Sequence, residues 1–534
     1  MAALLSVPPE ILILILGRLG PSSLSSFGQT CKAAEAFVEP LLYRRIAWKF
    51  NGKKDPMPNH RIHSFFQAIR QRPARASYVK AATLLSGTGR WQSSQTAQLL
   101  SDYPPPPDVE TLWVDVLRGG VQGRDLTRFE GGTFRSETII GNPGALMAIL
   151  LIVFPELETL VTDYTLIKQS DLPNEVMGGL LKLKRATVRN NLDSRIIEPF
   201  ERPELSALFS LPRLEHLSTV FQLVDDVSVA QANLPALLSL SLTDHLSDPS
   251  ALGDLLTKTP KLERFSYFLV EDTDNLAEDK NYQSVHQDTW SAFATSLGSV
   301  AGTLRILKIS MDEAGTSDYP PETMDEEWVL GVSSRRGAIG SLTHLQNLTK
   351  LEIPMHILFG SHPHHTNLRD LLPPSLRKFY LRDDLIYDQD WHTYVPDVVV
   401  PALRSYLLGN GAPSNEVLPL QELRLKLRTV WLIEQFGRTD IEDGLEIGEE
   451  DPLEQLVRIS RQAGVRCTIH FRVLDGTYIS TKHECIDRID ELVLHDPNNG
   501  TATPDGGPEG IAVGEVRYPM TRLLKRARCF ESST

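Results

Sequence analysis

Bond-making chemistry needs nucleophiles, acids, bases or metal ligands in company, and this sequence offers few. Its four cysteines are Cys31, Cys467, Cys485 and Cys529. They form no C-x-x-C pair and no spacing that suits a metal. Reduced thiols fit best, as in proteins of the cytosol or nucleus. His483 lies close to Cys485, but adjacency in sequence is not a catalytic dyad. The run HPHH, His362 to His365, holds two adjacent rings that cannot share a helix face. No Cys or acidic ligand is spaced to help them, and Pro363 favours a loop. SGTGR from Ser86 has two glycines but lacks the length and the lysine of a phosphate-binding loop. KRARC, Lys525 to Cys529, reads as a weak nuclear signal or as the basic end of a helix. We therefore expect no catalytic residue, no metal and no cofactor.

The remaining candidates are charges carried on a repeating frame. Helical segments lead into a Pro or Gly, and a short L-x-x-L-x-L strand follows. Clear copies are PDVETLWVDV from Pro107, FPELETLVTD from Phe154, LPRLEHLSTV from Leu211 and LPALLSLSLTD from Leu234. TPKLERFSYFL from Thr259, GTLRILKISM from Gly302, LTKLEIPM from Leu348, PPSLRKFYLRDD from Pro373 and LPLQELRLKLR from Leu418 continue the series. LKLKRATVRN from Leu181 is a weaker copy, and GVRCTIHFRV from Gly464 reads as a closing strand. Each unit puts its leucines on one side and is open above and below, so stacking alone closes the core. Residues between the leucines then alternate onto the other face. Early in the series these are neutral or acidic: Thr159, Asp163, Ser218, Ser239, Ser241 and Thr243. Later they are basic: Lys308, Lys350, Lys378, Arg382, Arg424 and Lys426, with Tyr380 among them and Glu352 and Glu422 interrupting. Such a strip suits an acidic or phosphorylated partner. Its plainer reading is a solvated sheet face, paired with those two glutamates and with acidic loops.

The frame must be anchored, and the stretch Val7 to Lys32 (VPPEILILILGRLGPSSLSSFGQTCK) points to how. Pro8 and Pro9 suit a helix start, Ser6 stands ahead as a cap, and Gly20-Pro21 stops the helix. The isoleucines and leucines circle that helix, and an apolar helix surface all round must be covered all round. A second helix from Pro21 and a third from Ala33 to Val38 are too small to cover both faces. This run resembles an F-box: a hydrophobic residue and proline, E-I-L, I-L-x-x-L, a P-x-x-L step and a C-K pair. EPLLYRRI, Glu39 to Ile46, resembles the continuation in fungal members. Val7 stands where leucine is commonest, and Gly20 where a capping Asp or Ser is usual. The resemblance implies docking to the Skp adaptor of a cullin–RING ubiquitin ligase, through Val7, Pro8, Ile11, Leu12, Ile15, Leu16 and Leu24. The later array resembles the irregular leucine-rich repeats of fungal F-box proteins. It departs from them in lacking most of the Asn or Cys after each strand and in its uneven spacing.

The expected fold is thus α/β: a three-helix F-box, then an irregular leucine-rich-repeat solenoid with a curved parallel sheet and helices outside. Boundaries fall at 1–48 for the box, 49–77 for a linker and helix, 78–475 for the solenoid and 476–534 for a partly ordered tail. A doubly wound α/β enzyme is the rival, weakened because no Gly-rich phosphate loop opens a helix. The formal net charge of -14 over 534 residues argues against nucleic acid and anionic membrane as partners. The implied role is target recognition in an SCF-type ligase, with the adaptor, cullin and RING subunits and a target protein as partners, in cytoplasm or nucleus. A non-ligase F-box scaffold is the alternative.

Overall fold

The leucine spacing decides the architecture, and a computed structural model shows how. It describes residues 6–50, 58–86, 143–163, 166–167, 180–189, 206–220, 232–244, 252–272, 289–314, 338–360, 367–382, 399–409, 419–428, 452–473 and 488–495. The copy from Pro107, the HPHH run, the glycines after Ser86, Cys485, Cys529 and KRARC lie outside the described residues.

The chain divides into two compact units, residues 1–243 with 258–261, and 244–257 with 262–534. The first begins with three helices, α1 (Pro9–Leu16), α2 (Pro21–Gly28) and α3 (Lys32–Tyr43). Pro9 and Pro21 open the first two, where a missing N–H costs nothing. Two expectations change here. Ser6 does not cap α1, which starts from Pro8 with no side-chain cap. The third helix does not end at Val38: it carries Pro40 within it and runs on to Tyr43. Cys31 caps it, its Sγ accepting from the Ala34 amide at 3.4 Å.

Strand β1 (Arg45–Phe50) follows after one residue and pairs in parallel with β2 (Ala81–Ser86). Between them lie α4 (Pro58–Gln71) and the short α5 (Ala74–Tyr78). The expected boundary at residue 48 therefore falls inside a strand. Pro73 also does more than end a helix, since α5 starts directly after it. Phe65 on α4 knits the join, its ring 5.8 Å from Tyr43, 5.3 Å from Trp48 and 5.9 Å from Phe154. Glu39 on α3 pairs with Arg75 at 2.6 Å and Arg72 at 3.1 Å.

After β2 come helix α6 (Pro143–Val153) and strands β3 (Thr159–Asp163), β4 (Arg185–Arg189), β5 (His216–Val220) and β6 (Ser239–Asp244). All pair in parallel and in chain order. The second unit holds α7 (Leu252–Thr257), β7 (Arg264–Asp272), α8 (Thr289–Ser296), β8 (Ile306–Ala314), β9 (Lys350–Pro354), α9 (Met355–Phe359), α10 (Leu368–Leu371), β10 (Lys378–Arg382), α11 (Val400–Leu408), β11 (Glu422–Arg428), α12 (Pro452–Ala463) and β12 (Arg466–Val473). Its strands also pair in parallel and in order. Like β1, β13 (Arg488–His495) was unexpected: it returns antiparallel along β12, in the stretch read as tail.

The same hydrogen bond recurs at most steps within each unit. Two successive amides at a strand start donate to one carbonyl of the preceding turn: Lys80 and Ala81 to Arg44, Glu158 and Thr159 to Lys80, Lys184 and Arg185 to Glu158. In the second unit Thr349 and Lys350 donate to Arg305, and Arg377 and Lys378 to Thr349. Each turn is thereby set on the one before it. Leu160, Leu217, Leu240, Leu307, Leu351 and Leu423 are all at most 2% exposed, as their spacing requires.

The expected horseshoe curvature does not appear; the sheet is not strongly curled. A horseshoe closes when an outer layer of helices, about 10 Å wide each, is fanned against strands about 4.8 Å apart. Here several outer segments are one turn or so: six residues in α7, five in α9, four in α10, and a five-residue 3-10 turn at Ser206–Ser210.

Candidate functional site

Helix α1 reads PEILILIL, and only one stripe of it can turn inward. Leu12 and Leu16, one turn apart, are buried with Leu24 and Val38, and Phe27, Phe37, Leu41 and Leu42 pack against them. Ile11, Ile13, Leu14, Ile15 and Leu19 remain outside, between 39% and 68% exposed. Single exposed leucines are ordinary, but five on one short helix and its end make a contiguous apolar surface. So the seven residues proposed from sequence separate. Ile11 and Ile15 lie on the surface with Pro8, and Val7 is half-buried. Leu12, Leu16 and Leu24 are core, not contact surface, because the box needs them to hold its three helices together. Ile13, Leu14 and Leu19 join the exposed face; the unbroken run was visible, but periodicity alone could not orient it.

The second site is the open face of β8 to β11, opposite the buried leucines. Register sets Lys350, Lys378 and Glu422 side by side, then Glu352, Tyr380 and Arg424, then Arg382 and Lys426. Lys308 stands beside Glu352. All seven residues proposed from sequence are thus brought together. The two glutamates organise them. Glu352 Oε1 accepts from Arg382 Nη1 at 2.7 Å and Lys426 Nζ at 2.5 Å, with Lys308 Nζ at 3.8 Å. Glu422 takes Arg424 Nη2 at 2.7 Å and Lys378 Nζ at 3.3 Å.

Burial pushes the Glu352 carboxyl up, but the Lys426 hydrogen bond and the charges of Lys426, Lys308 and Arg382 outweigh it, leaving the carboxyl below its ordinary range. Glu422 is likewise lowered: burial opposes ionisation, and Arg424 and Lys378 overcome it. Lys426 is lowered by burial, which together with Arg382 and Lys308 outweighs the pull of Glu352. Tyr380 is 5% exposed and lies under Lys350 at 4.6 Å and Arg424 at 4.7 Å. Burial pushes its hydroxyl up to about 12; Arg424 pulls the other way, and Glu422 and Glu352 reinforce burial. Both readings of the strip meet here: Glu352 and Glu422 neutralise part of it, and an excess of cations remains. This arrangement can bind anions.

Among the described residues no group of three or more His, Cys, Asp or Glu is placed to hold a metal. Cys467 is buried, and burial pushes its thiol up to about 11, which makes it a poor nucleophile. No described helix is long and apolar enough to cross a membrane.

Residues 4–47 match the F-box-like family. That match contains all three helices and reaches into β1. The chain thus carries an F-box-like domain at its N-terminal end, and the exposed apolar face of α1 belongs to it. No curated protein matches the chain.

Proposed function

We propose that this chain is a target-recognition subunit of an SCF-type ubiquitin ligase. The F-box-like domain docks on a Skp-type adaptor, and through it on cullin and RING subunits. The strand units form an irregular leucine-rich-repeat array that holds a target protein. The observation that carries this reading is the exposed Ile11, Ile13, Leu14, Ile15 and Leu19 face within a domain that matches the F-box-like family. F-box domains typically bind Skp-type adaptors. No chemistry is required of the chain itself. Holding a target near a charged ubiquitin carrier raises effective concentration, and the bond is made by another subunit. The protein would work in the cytoplasm or nucleus, where reduced Cys31 and Cys467 are at home.

The test is capture of a purified Skp-type adaptor by the full chain, with Leu14→Asp and Ile15→Asp together. Buried in a contact, the two carboxylates would lack partners, and affinity should fall by about a hundredfold or more. Undiminished capture would overturn the reading. Leu12→Asp is unsuitable for this experiment, because a carboxylate buried among Leu16, Leu24 and Val38 should destabilise the box itself. Reconstitution with cullin, RING and carrier then separates a ligase subunit from an F-box scaffold. Failure of the adaptor-bound chain to support ubiquitin transfer to a captured target would favour the scaffold.

A further inference from the structure

Three lysines on the open face of β8 to β10 are incompletely matched by the two glutamates. Lys350 and Lys378 are direct register partners on neighbouring strands. Like charges set opposite each other on a sheet repel. A second such pair, Arg382 and Lys426, lies over Glu352, which bonds to both. Among the described residues, no carboxylate spans the Lys350–Lys378 pair. Glu422 reaches Lys378 at 3.3 Å, and Lys350 rests on the Tyr380 ring. Lys308 approaches Glu352 only at 3.8 Å, behind Arg382 and Lys426. Exposure separates Lys308 and Lys378 from the other cations, and Lys350 is half-buried. The side chains of Lys308 and Lys378 are 42% and 49% exposed, whereas those of Arg382, Arg424 and Lys426 are between 18% and 30%.

We infer that Lys308, Lys350 and Lys378 form the contact point for an acidic segment, rich in Asp and Glu, of a second protein. The inference rests on the target-receptor reading and gives the target's chemistry. Arg382, Arg424, Lys426 and Tyr380 position the lysines and hold the face together; they are not themselves the contact.

Charge complementarity carries the choice of occupant. Among the described side chains, six cations and two carboxylates give this patch a net charge of +4, on a chain whose formal total is -14. Arg382 and Arg424 each hold a carboxylate through one guanidinium nitrogen and are mostly buried. Flexible ammonium groups remain, and these suit a run of carboxylates better than one planar group read by two parallel bonds. The lysines lie on three adjacent strands, which span about 10 Å at a strand spacing of about 4.8 Å. An extended segment of three or four residues, at about 3.3 Å each, covers that distance. A longer polyanion, such as a nucleic acid, would run beyond the patch and meet a chain that is otherwise strongly negative.

The experiment uses the full chain and a fluorescein-labelled hexaglutamate peptide, read by anisotropy. The intact chain should bind it, with affinity falling between about 50 mM and about 300 mM salt as exposed charges are screened. Lys308→Gln, Lys350→Gln and Lys378→Gln together should weaken binding by about tenfold or more, a few-fold per exposed charge. The same three positions changed to Arg should bind like the original. Circular dichroism and thermal unfolding of each variant, compared with the parent, show that it is folded. No binding by the intact chain would overturn the inference, as would equal binding by the Gln variant. So would tighter binding of a thymidine oligonucleotide of the same charge. Peptide binding without any adaptor capture by the intact chain would count instead against the receptor reading, and would leave the contact point standing.

Discussion

Glu352 shows how much of the open face depends on one carboxylate. Its side chain is 4% exposed and serves Arg382, Lys426 and Lys308. Glu352→Gln keeps the shape and removes the charge, leaving part-buried cations opposed. The expected cost is about 3 kcal/mol, the scale of a buried pair broken on one side. A fall in the urea midpoint at neutral pH checks it. The pH dependence has a definite sign. Glu352 is held below the unfolded value of about 4.3, so its contribution is complete above about pH 4.3 and fades as pH falls through the folded value. The Gln variant should lose that part of the acid sensitivity, seen by comparing urea midpoints from neutral to acid pH. The sequence showed which residues share this face, because side chains alternate along a strand. It did not show which of them are already paired. Lys426 is 74 residues from Glu352, and only the register of β9, β10 and β11 brings them together.

Among the elements, α1 divides its residues between two jobs. Leu12→Ala should cost about 3 kcal/mol, since it opens a cavity against Leu16, Leu24 and Val38. Leu14→Ala removes a side chain 68% exposed and should change stability by less than about 0.5 kcal/mol. Thermal unfolding of the two variants distinguishes them, and equal losses would mean that α1 is packed differently. The parallel strands were legible because leucines at fixed offsets leave one solution for the core. β1 was also legible in principle: Ile46, Trp48 and Phe50 alternate with Arg45, Ala47 and Lys49. Its residues also resemble the tail of the box, and the family match runs to residue 47. Both readings are true of them. β13 carried a weaker signal, since an antiparallel return after a parallel series breaks the pattern that identified the others.

At the scale of the molecule, the repeated two-amide hydrogen bond sets each turn on its predecessor, and in the first unit the series starts at Arg44, inside the box. Lys80 and Ala81 both donate to the Arg44 carbonyl, and six residues of β1 pair with β2. A deletion ending at residue 46 would remove all three helices of the box. In this protein it would cut through β1 and uncover β2, whose sequence Ala81–Ser86 is AATLLS. β1 carries Arg45 and Lys49, the kind of charge that keeps a bordering strand from pairing with other chains. β2 has no charge and no proline, so the shortened chain would present an unguarded strand to its own copies. It should elute as soluble aggregate in size-exclusion chromatography, while the Leu14→Asp, Ile15→Asp chain elutes as the parent does. Identical elution of the deletion and the parent would refute this. Loss of target binding in the deletion would then report self-association of the sheet rather than the absence of the adaptor.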